Sequence, residues 1–308
     1  MGESAPTVSV IIATYNMAQY LGDAIASVLA QTVPDLEVVI VDDGSKDNTA
    51  EVIAKFAGDP RVHYHKQANS GQTKAKNVGI RHSRGTYIAF CDADDLWLPD
   101  KLERQLPLFD AAGKVGVVYS RNRRILSEGD HAPEPDENVY YSGEVTRELF
   151  HFNFISFGTA IVRRRCIDEL GAFDEQFRMG IDWDLWLRVS TRYQIRFLDA
   201  VTYLYRVWPG QMSSNWRGRY DHAFRIMEKF LREYPGRIEP GFLREAYAHT
   251  YTERARLRAL LDADFRGALS DIGTALRYKI SYLPAWKSIG RVCVNVATGP
   301  AGGRSSTT

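Results

Sequence analysis

Cysteine is scarce in this chain, and what there is does not pair up. Cys91, Cys166 and Cys293 are far apart and odd in number. None has the paired spacing of a zinc ligand set, so a disulfide framework or a structural zinc centre is excluded and a reducing, cytoplasmic setting is expected. Surplus charge is missing as well. A formal net charge of +1 argues against general nucleic-acid binding. No stretch reaches the roughly 18 apolar residues of a membrane-spanning helix. The N-terminus has no charged leader ahead of a long apolar core, and residues 8–13 read instead as a first strand. There is no internal repeat and no Gly-rich or Ser-rich linker. The expectation is a soluble protein, or one attached to a membrane only peripherally. At 308 residues and 44% hydrophobic content, the chain is long enough to bury a core without disulfides or metal.

What is present alternates. Residues 8–13 are apolar and rich in β-branched side chains, and 17–31 place Leu21, Ile25, Val28 and Leu29 at helical spacing. A second strand over 37–41 ends at Asp42-Asp43-Gly44-Ser45, and a helix over 49–57 follows. Strand 61–65, helix 71–83, strand 86–91, helix 99–112 and strand 115–119 continue the rhythm. This βαβαβ order predicts an α/β fold with a mostly parallel central sheet and ligand loops along one edge. Gly and Pro over 127–143 predict an exposed, lid-like loop. A helical run near 183–189 and a strand near 196–205 come next, and from about 220 to 289 the chain turns mainly helical. The expected organisation is a catalytic domain over 1–218, a helical extension over 219–298 and a disordered tail over 299–308.

Carboxylates mark three places. In the first, Asp42 and Asp43 end a strand, where an acid can accept from a base or ribose hydroxyl or merely close an Asx turn. In the second, the apolar run 87–91 ends in Asp92, Asp94 and Asp95. Repelling carboxylates at one point call for a cation or for hydrogen-bond donors, and oxygen ligands of this kind suit Mg²⁺ or Mn²⁺ shared with substrate phosphates. The bland alternative is acids dressing the N-terminus of the helix that Pro99 and Glu103 announce. The third pair, Asp182 and Asp184, opens a helix. Two residues apart on a helix they diverge by about 200°, so only one can serve as a general base while the other caps.

These residues carry a resemblance. The opening Val8-Ser9-Val10-Ile11-Ile12-Ala13-Thr14-Tyr15-Asn16 resembles the first strand and loop of family 2 glycosyltransferases of the GT-A fold, with Ala13 where Pro is usual. Asp42-Asp43-Gly44-Ser45-Lys46-Asp47-Asn48-Thr49, Ala75-Lys76-Asn77-Val78-Gly79-Ile80, Asp92-Ala93-Asp94-Asp95-Leu96-Trp97 and Gly180-Ile181-Asp182-Trp183-Asp184 resemble four further segments, in the right order. The likeness covers roughly residues 6–215. It implies an enzyme that moves a sugar from a nucleoside-diphosphate sugar, UDP favoured, to an acceptor hydroxyl with inversion, in the synthesis of polysaccharide, glycolipid or another surface glycan. By position it implies the Thr14–Tyr15 backbone and Asp42 at the nucleobase, Asp92 at the ribose, Asn16 and Ala93 among the nucleotide-binding residues, and Lys76 where a basic residue is usual. Asp94 would bind the divalent cation, Mn²⁺ or Mg²⁺, and Asp182 would be the catalytic base. Two departures stand out: Ile181 replaces an acid, and Trp208 stands where His is frequent.

The aromatic residues between 183 and 216 read mainly as core, with Trp183, Trp208 and Trp216 kept as candidates for acceptor binding. Lys279, Lys287 and Arg291 alternate with Tyr282, Leu283, Trp286, Ile289 and Val292 over 278–296, as in an interfacial helix that contacts a membrane, although Pro284 is expected to interrupt it and packing on the catalytic domain explains the pattern equally well. A homo-oligomer is compatible with all of this. Two other readings are a nucleotidyltransferase of similar sheet, which would carry a Gly-rich phosphate loop after the first strand, and an inactive sugar-nucleotide-binding protein.

Overall fold

Strands buried on both faces have no reason to alternate, and the first two here do not. In the computed structural model, which describes residues 5–110, 112–126, 130 and 139–298, β1 (Val8–Thr14) is buried at six of seven positions. β2 (Leu36–Asp42) is buried throughout, as a parallel sheet covered by helices demands. The remaining elements are α1 (Ala18–Leu29), α2 (Thr49–Ala54), β3 (Val62–Lys66), α3 (Gln72–His82), β4 (Tyr87–Phe90), β5 (Leu96–Trp97), α4 (Lys101–Gln105), β6 (Val115–Leu126), α5 (Thr146–His151), β7 (Ile161–Arg163), α6 (Arg164–Leu170), α7 (Ile181–Ser190) and β8 (Gln194–Val207), followed by α8 (Trp216–Glu233), α9 (Pro240–Leu261), α10 (Phe265–Tyr278) and α11 (Leu283–Thr298).

The sheet order is β3-β2-β1-β4-β7-β6-β8-β5. β3, β2, β1 and β4 are parallel, and so are β6 and β8. The expected fifth strand does not neighbour the fourth. The short β7 lies between them and is antiparallel to both, and β5 pairs antiparallel with β8. The sheet is therefore mixed, with helices flanking it and a helical C-terminal part, which is a GT-A architecture. The expected helix over 99–112 is cut to α4 and a 3₁₀ turn at Leu106–Leu108, because Pro107 has no N–H to continue it. The loop predicted over 127–143 falls largely outside the described residues, and the tail over 299–308 lies wholly outside them.

The chain divides into two compact units. One runs to Thr146 and resumes at Asn153–Ser214, and the other holds Arg147–Phe152 and everything from Asn215. In the second unit α9, α10 and α11 meet on small side chains, among them Ala248, Ala255, Ala268, Ala275 and Ala285. Pro284 does not break this region. It sits in the first turn of α11, where its missing N–H would have had no helical partner anyway.

Packing between α3 and β1 depends on one absent side chain. A Cβ on Gly79 would lie 2.4 Å from Cγ2 of Ile11, which is fully buried and has no room to turn. Helix propensity alone favours Ala over Gly by about 1 kcal/mol, whereas overpacking a full core costs about 1–3 kcal/mol. Gly79→Ala is therefore expected to destabilise by about 1–2 kcal/mol, read as a lower denaturation midpoint. A stabilised variant would show that the α3–β1 contact is looser than the geometry requires.

Candidate functional site

The topology decides where the polar residues collect. β7 is antiparallel to both β4 and β6, and β8 is parallel to β6, so β1, β2, β4, β6 and β8 all point one way. Their carboxyl ends share one edge, which is where α/β sheets take ligands. A cleft of about 550 Å³ opens there. Its walls include Thr14 and Tyr15 after β1, Asp43 after β2, Lys76 on α3, Asp92 to Asp95 after β4, and Trp208 after β8.

The three carboxylates after β4 have separate fates. Asp95 is buried and accepts from the Tyr203 hydroxyl and the Arg206 backbone N–H, both at 2.7 Å. Burial, and then the charges of Asp94 and Asp92, hold its carboxyl well above the usual range. It is not a helix-side acid, since the next helix starts at Lys101. Asp92 faces the cleft and pairs with Lys76 Nζ at 2.9 Å. Asp94 accepts from Trp208 Nε1 at 2.8 Å. Burial, followed by the charge of Asp92, raises the Asp94 carboxyl, and the indole N–H works in the opposite direction. Trp208 thus touches the aspartate that the resemblance assigns to a cation.

The strand ends opposite are braced against each other. Asp42 is fully buried. Its oxygens accept from Ser45 N at 2.8 Å and the Tyr64 hydroxyl at 3.0 Å, and it is not part of the cleft wall. Its neighbour Asp43 is, with its carboxylate held by the backbone N–H groups of Ser70 and Gly71 at 2.9 and 2.8 Å. Gly71 takes φ 93°, a left-handed value that suits glycine. Asn16, with φ 53°, accepts from Lys46 N through its side chain and donates its own N–H to Ser45 Oγ. It joins the two loops rather than walling the cleft. Thr14 Oγ1 is buried with no hydrogen-bond partner among the described residues, and Tyr15 is 41% exposed.

Asp182 stands in the first turn of α7. It is partly open to solvent and accepts from Asn153 Nδ2 at 2.7 Å. Desolvation raises its carboxyl, while Asn153 and the charge of Lys76 oppose the rise. Asp182 is not itself a wall residue of the cleft; the field of Lys76 is the link between them. Asp184, two residues on, faces inward and is buried in an ion pair with Arg188 at 2.9 Å. The two carboxylates diverge as helical geometry demands.

Residues 9–171 match the family described as Glycosyl transferase family 2. The chain belongs to that family. It is 34% identical over 197 residues to an uncharacterised glycosyltransferase of Rickettsia typhi, covering 61% of each chain. It is also 34% identical over 199 residues to a chondroitin synthase and to a hyaluronan synthase of Pasteurella multocida, covering 64% of this chain but 20% of each synthase. The chain thus spans less than two thirds of the length of these relatives. Among solved structures it is similar to S. aureus TarS in complex with UDP-GlcNAc, with a TM-score of 0.68, 20% identity, and 88% of this chain and 81% of that one covered. It is also similar to a mannosyltransferase of Pyrobaculum calidifontis in complex with GDP-Man and Mn²⁺, with a TM-score of 0.64, 21% identity, and 95% and 81% covered. Family membership sets the nucleotidyltransferase reading aside.

In this family member, Trp208 walls the cleft, whereas Trp183 is buried on α7 and Trp216 is buried in the second unit. Sequence reasoning preferred Asp42 to Asp43 and did not single out Asn153. Both faces of β2 are covered, so no alternation tells which of two adjacent acids turns to the cleft, and a lone Asn in a loop carries no signal. Ile181 is 4% exposed, so an acid at that position would need a buried partner.

Beneath the acidic turn, Lys101 is fully buried and donates to Gln105 Oε1 at 2.6 Å and to the Thr159 carbonyl at 2.8 Å. Burial pushes its ammonium down to about 7 from 10.5. Between those values the unfolded chain binds the proton and the folded chain does not, so stability rises with pH across that window. Below about 7 both states are charged and the penalty is complete. Lys101→Met is expected to remove a slope of up to about 1.4 kcal/mol per pH unit from the wild-type stability curve. Denaturant unfolding at a series of pH values measures it, and identical slopes in the two proteins would refute a depressed Lys101.

Proposed function

We propose that this chain is a metal-dependent, inverting glycosyltransferase that moves a sugar from a nucleoside-diphosphate sugar to an acceptor hydroxyl. The observation that carries the reading is the convergence of Thr14, Asp43, Lys76, Asp92 and Asp94 on one cleft, with Lys76 felt by both Asp92 and Asp182. The unpartnered Thr14 Oγ1 and the fixed carboxylate of Asp43 suit a nucleobase, with Asp42 and Asn16 bracing the loops that present them. Asp92 is suited to the ribose and Lys76 to the diphosphate. A UDP donor is favoured by the TarS complex with UDP-GlcNAc, and relatives named for chondroitin and hyaluronan synthesis support a glycan hydroxyl as acceptor. Two buried free thiols, Cys91 and Cys166, suit a reducing compartment such as the cytoplasm.

The residues fit a divalent cation. Mg²⁺ and Mn²⁺ need only one or two carboxylates when phosphates and water complete the shell. Asp92 and Asp94 each engage one oxygen inside the protein, and their mutual repulsion is the kind a cation relieves. Asp94, with Asp92, would hold it, and it would supply positive charge against the departing diphosphate. Asp182 accepts the proton of the acceptor hydroxyl, whose oxygen bonds to the anomeric carbon as the bond to the diphosphate oxygen breaks. A single displacement inverts that carbon, by the stereochemical logic of single-step glycoside hydrolysis. The raised Asp182 carboxyl makes it a better proton acceptor than an ordinary aspartate, and the falling fraction of carboxylate sets the acid limb of the activity profile.

Asp182→Asn is expected to lower transfer by about a thousandfold or more while donor binding, read by calorimetry, stays within a few-fold of wild type. Near-normal turnover in that variant would remove Asp182 from the base role. Release of nucleoside diphosphate from a panel of donors is expected to vanish in EDTA and to return with Mn²⁺ or Mg²⁺. Equal rates with and without chelator would end the metal assignment of Asp94, and binding without turnover across donors and acceptors would favour an inert sugar-nucleotide binder.

A further inference from the structure

The second unit has an outward stripe that its own packing does not use. α11 turns Ala285 and Val292 inward against α9 and α10. Positions 283, 286, 287 and 290 are spaced three and four apart and so share a face, and all four are exposed. A solvent face is normally polar. This one opens with Leu283, 67% exposed, and Trp286, 49% exposed, and Ile280 in the preceding turn is 70% exposed. Trp286 Nε1 donates to the Ile280 carbonyl at 2.7 Å, which fixes the indole beside that turn and satisfies its polar atom.

Along the sequence of this segment the charge has one sign. No Asp or Glu follows Asp271, whereas Arg277, Lys279, Lys287 and Arg291 do, in a chain whose total is only +1. Lys279 is engaged by Glu245 at 2.7 Å, while Arg277 and Lys287 are exposed. Exposed aliphatic side chains, a tryptophan with its N–H already bonded and exposed cations make the composition that settles at a lipid headgroup boundary. Anionic lipid supplies the counter-charge that the segment lacks. A second copy meeting this face across a two-fold axis would bring the same cations in from both sides and no acid from the stripe.

We propose that the face formed by Ile280, Leu283 and Trp286, with Lys287 and Arg277, is a contact surface for an anionic lipid bilayer. The contact is peripheral, since no helix among the described residues is long and apolar enough to cross a membrane. It does not depend on the transferase reading, and it gives that activity a two-dimensional surface on which a lipid-linked acceptor would be presented.

The full chain is tested by flotation with phosphatidylcholine vesicles, with and without phosphatidylglycerol. The expected result is co-flotation with the anionic vesicles that falls as salt rises, together with a blue shift of tryptophan emission. The combined variant Ile280→Ser, Leu283→Ser, Trp286→Ser is expected to keep its melting temperature and to partition about a hundredfold more weakly. Lys287→Glu is expected to weaken anionic binding alone. Absence of flotation with anionic vesicles, equal partition of the combined variant, or equal binding to neutral vesicles would each overturn the proposal. So would a concentration-dependent dimer lost in the combined variant without any flotation, which would give the face to self-association.

Discussion

A single buried carboxylate joins the two halves of the sheet at the site. Asp95 follows β4, in the part of the fold built from consecutive parallel strands. Its partners, Tyr203 and the Arg206 amide, belong to β8, more than a hundred residues on. Without those bonds a carboxylate so buried would carry an unmatched desolvation cost of several kcal/mol. With them, the turn that bears Asp92 and Asp94 is tied to the strand that delivers Trp208. The short β7 makes this possible. By inserting antiparallel between β4 and β6, it lets the later strands point the same way as the earlier ones and end on the same edge.

That edge gathers more negative charge than it can hold uncompensated, and the compensation is uneven. Lys76, 4% exposed, neutralises Asp92 directly and also stands 4.4 Å over the Phe157 ring, which holds the ammonium in place. Asp94 receives the indole N–H of Trp208 and, more weakly, its own backbone N–H and the field of Lys76. Asp182, at the start of α7, has the Asn153 amide, backbone N–H groups of the helix start and a share of the Lys76 field. Like Asp95, the carboxylates of Asp94 and Asp182 are raised by desolvation. They are assigned the two roles that need an acid ready to take on positive charge, one a cation and the other a proton.

Much of this was legible in the residues. Apolar runs located β1, β2 and β4, and the acids after the last two marked their ends, because strand burial and strand-end polarity are local properties. The motif order gave the family. Three features stayed hidden for physical reasons. β5 and β7 are two and three residues long, too short to show a period, and only pairing with distant strands makes them strands. The choice between Asp42 and Asp43 depends on how the loop carrying Ser70 and Gly71 folds back, a contact 27 residues away. The bond from Trp208 to Asp94 spans 114 residues. The indole was expected to matter for acceptor binding, and no pattern within its own segment points to a carboxylate.

The two departures from the family pattern make sense together once burial is considered. Ile181 is enclosed, so this chain has no second acid beside Asp182 and no charge there to desolvate. Trp208 takes up a position from which a histidine could have offered a lone pair, but an indole can only donate. It donates to Asp94 and offers the cleft no lone pair of its own. Both changes lower the number of groups that could compete for the same cation or proton. The site is therefore simplified rather than dismantled. Asp92, Asp94 and Asp182 each accept one side-chain donor, from Lys76, Trp208 and Asn153 respectively.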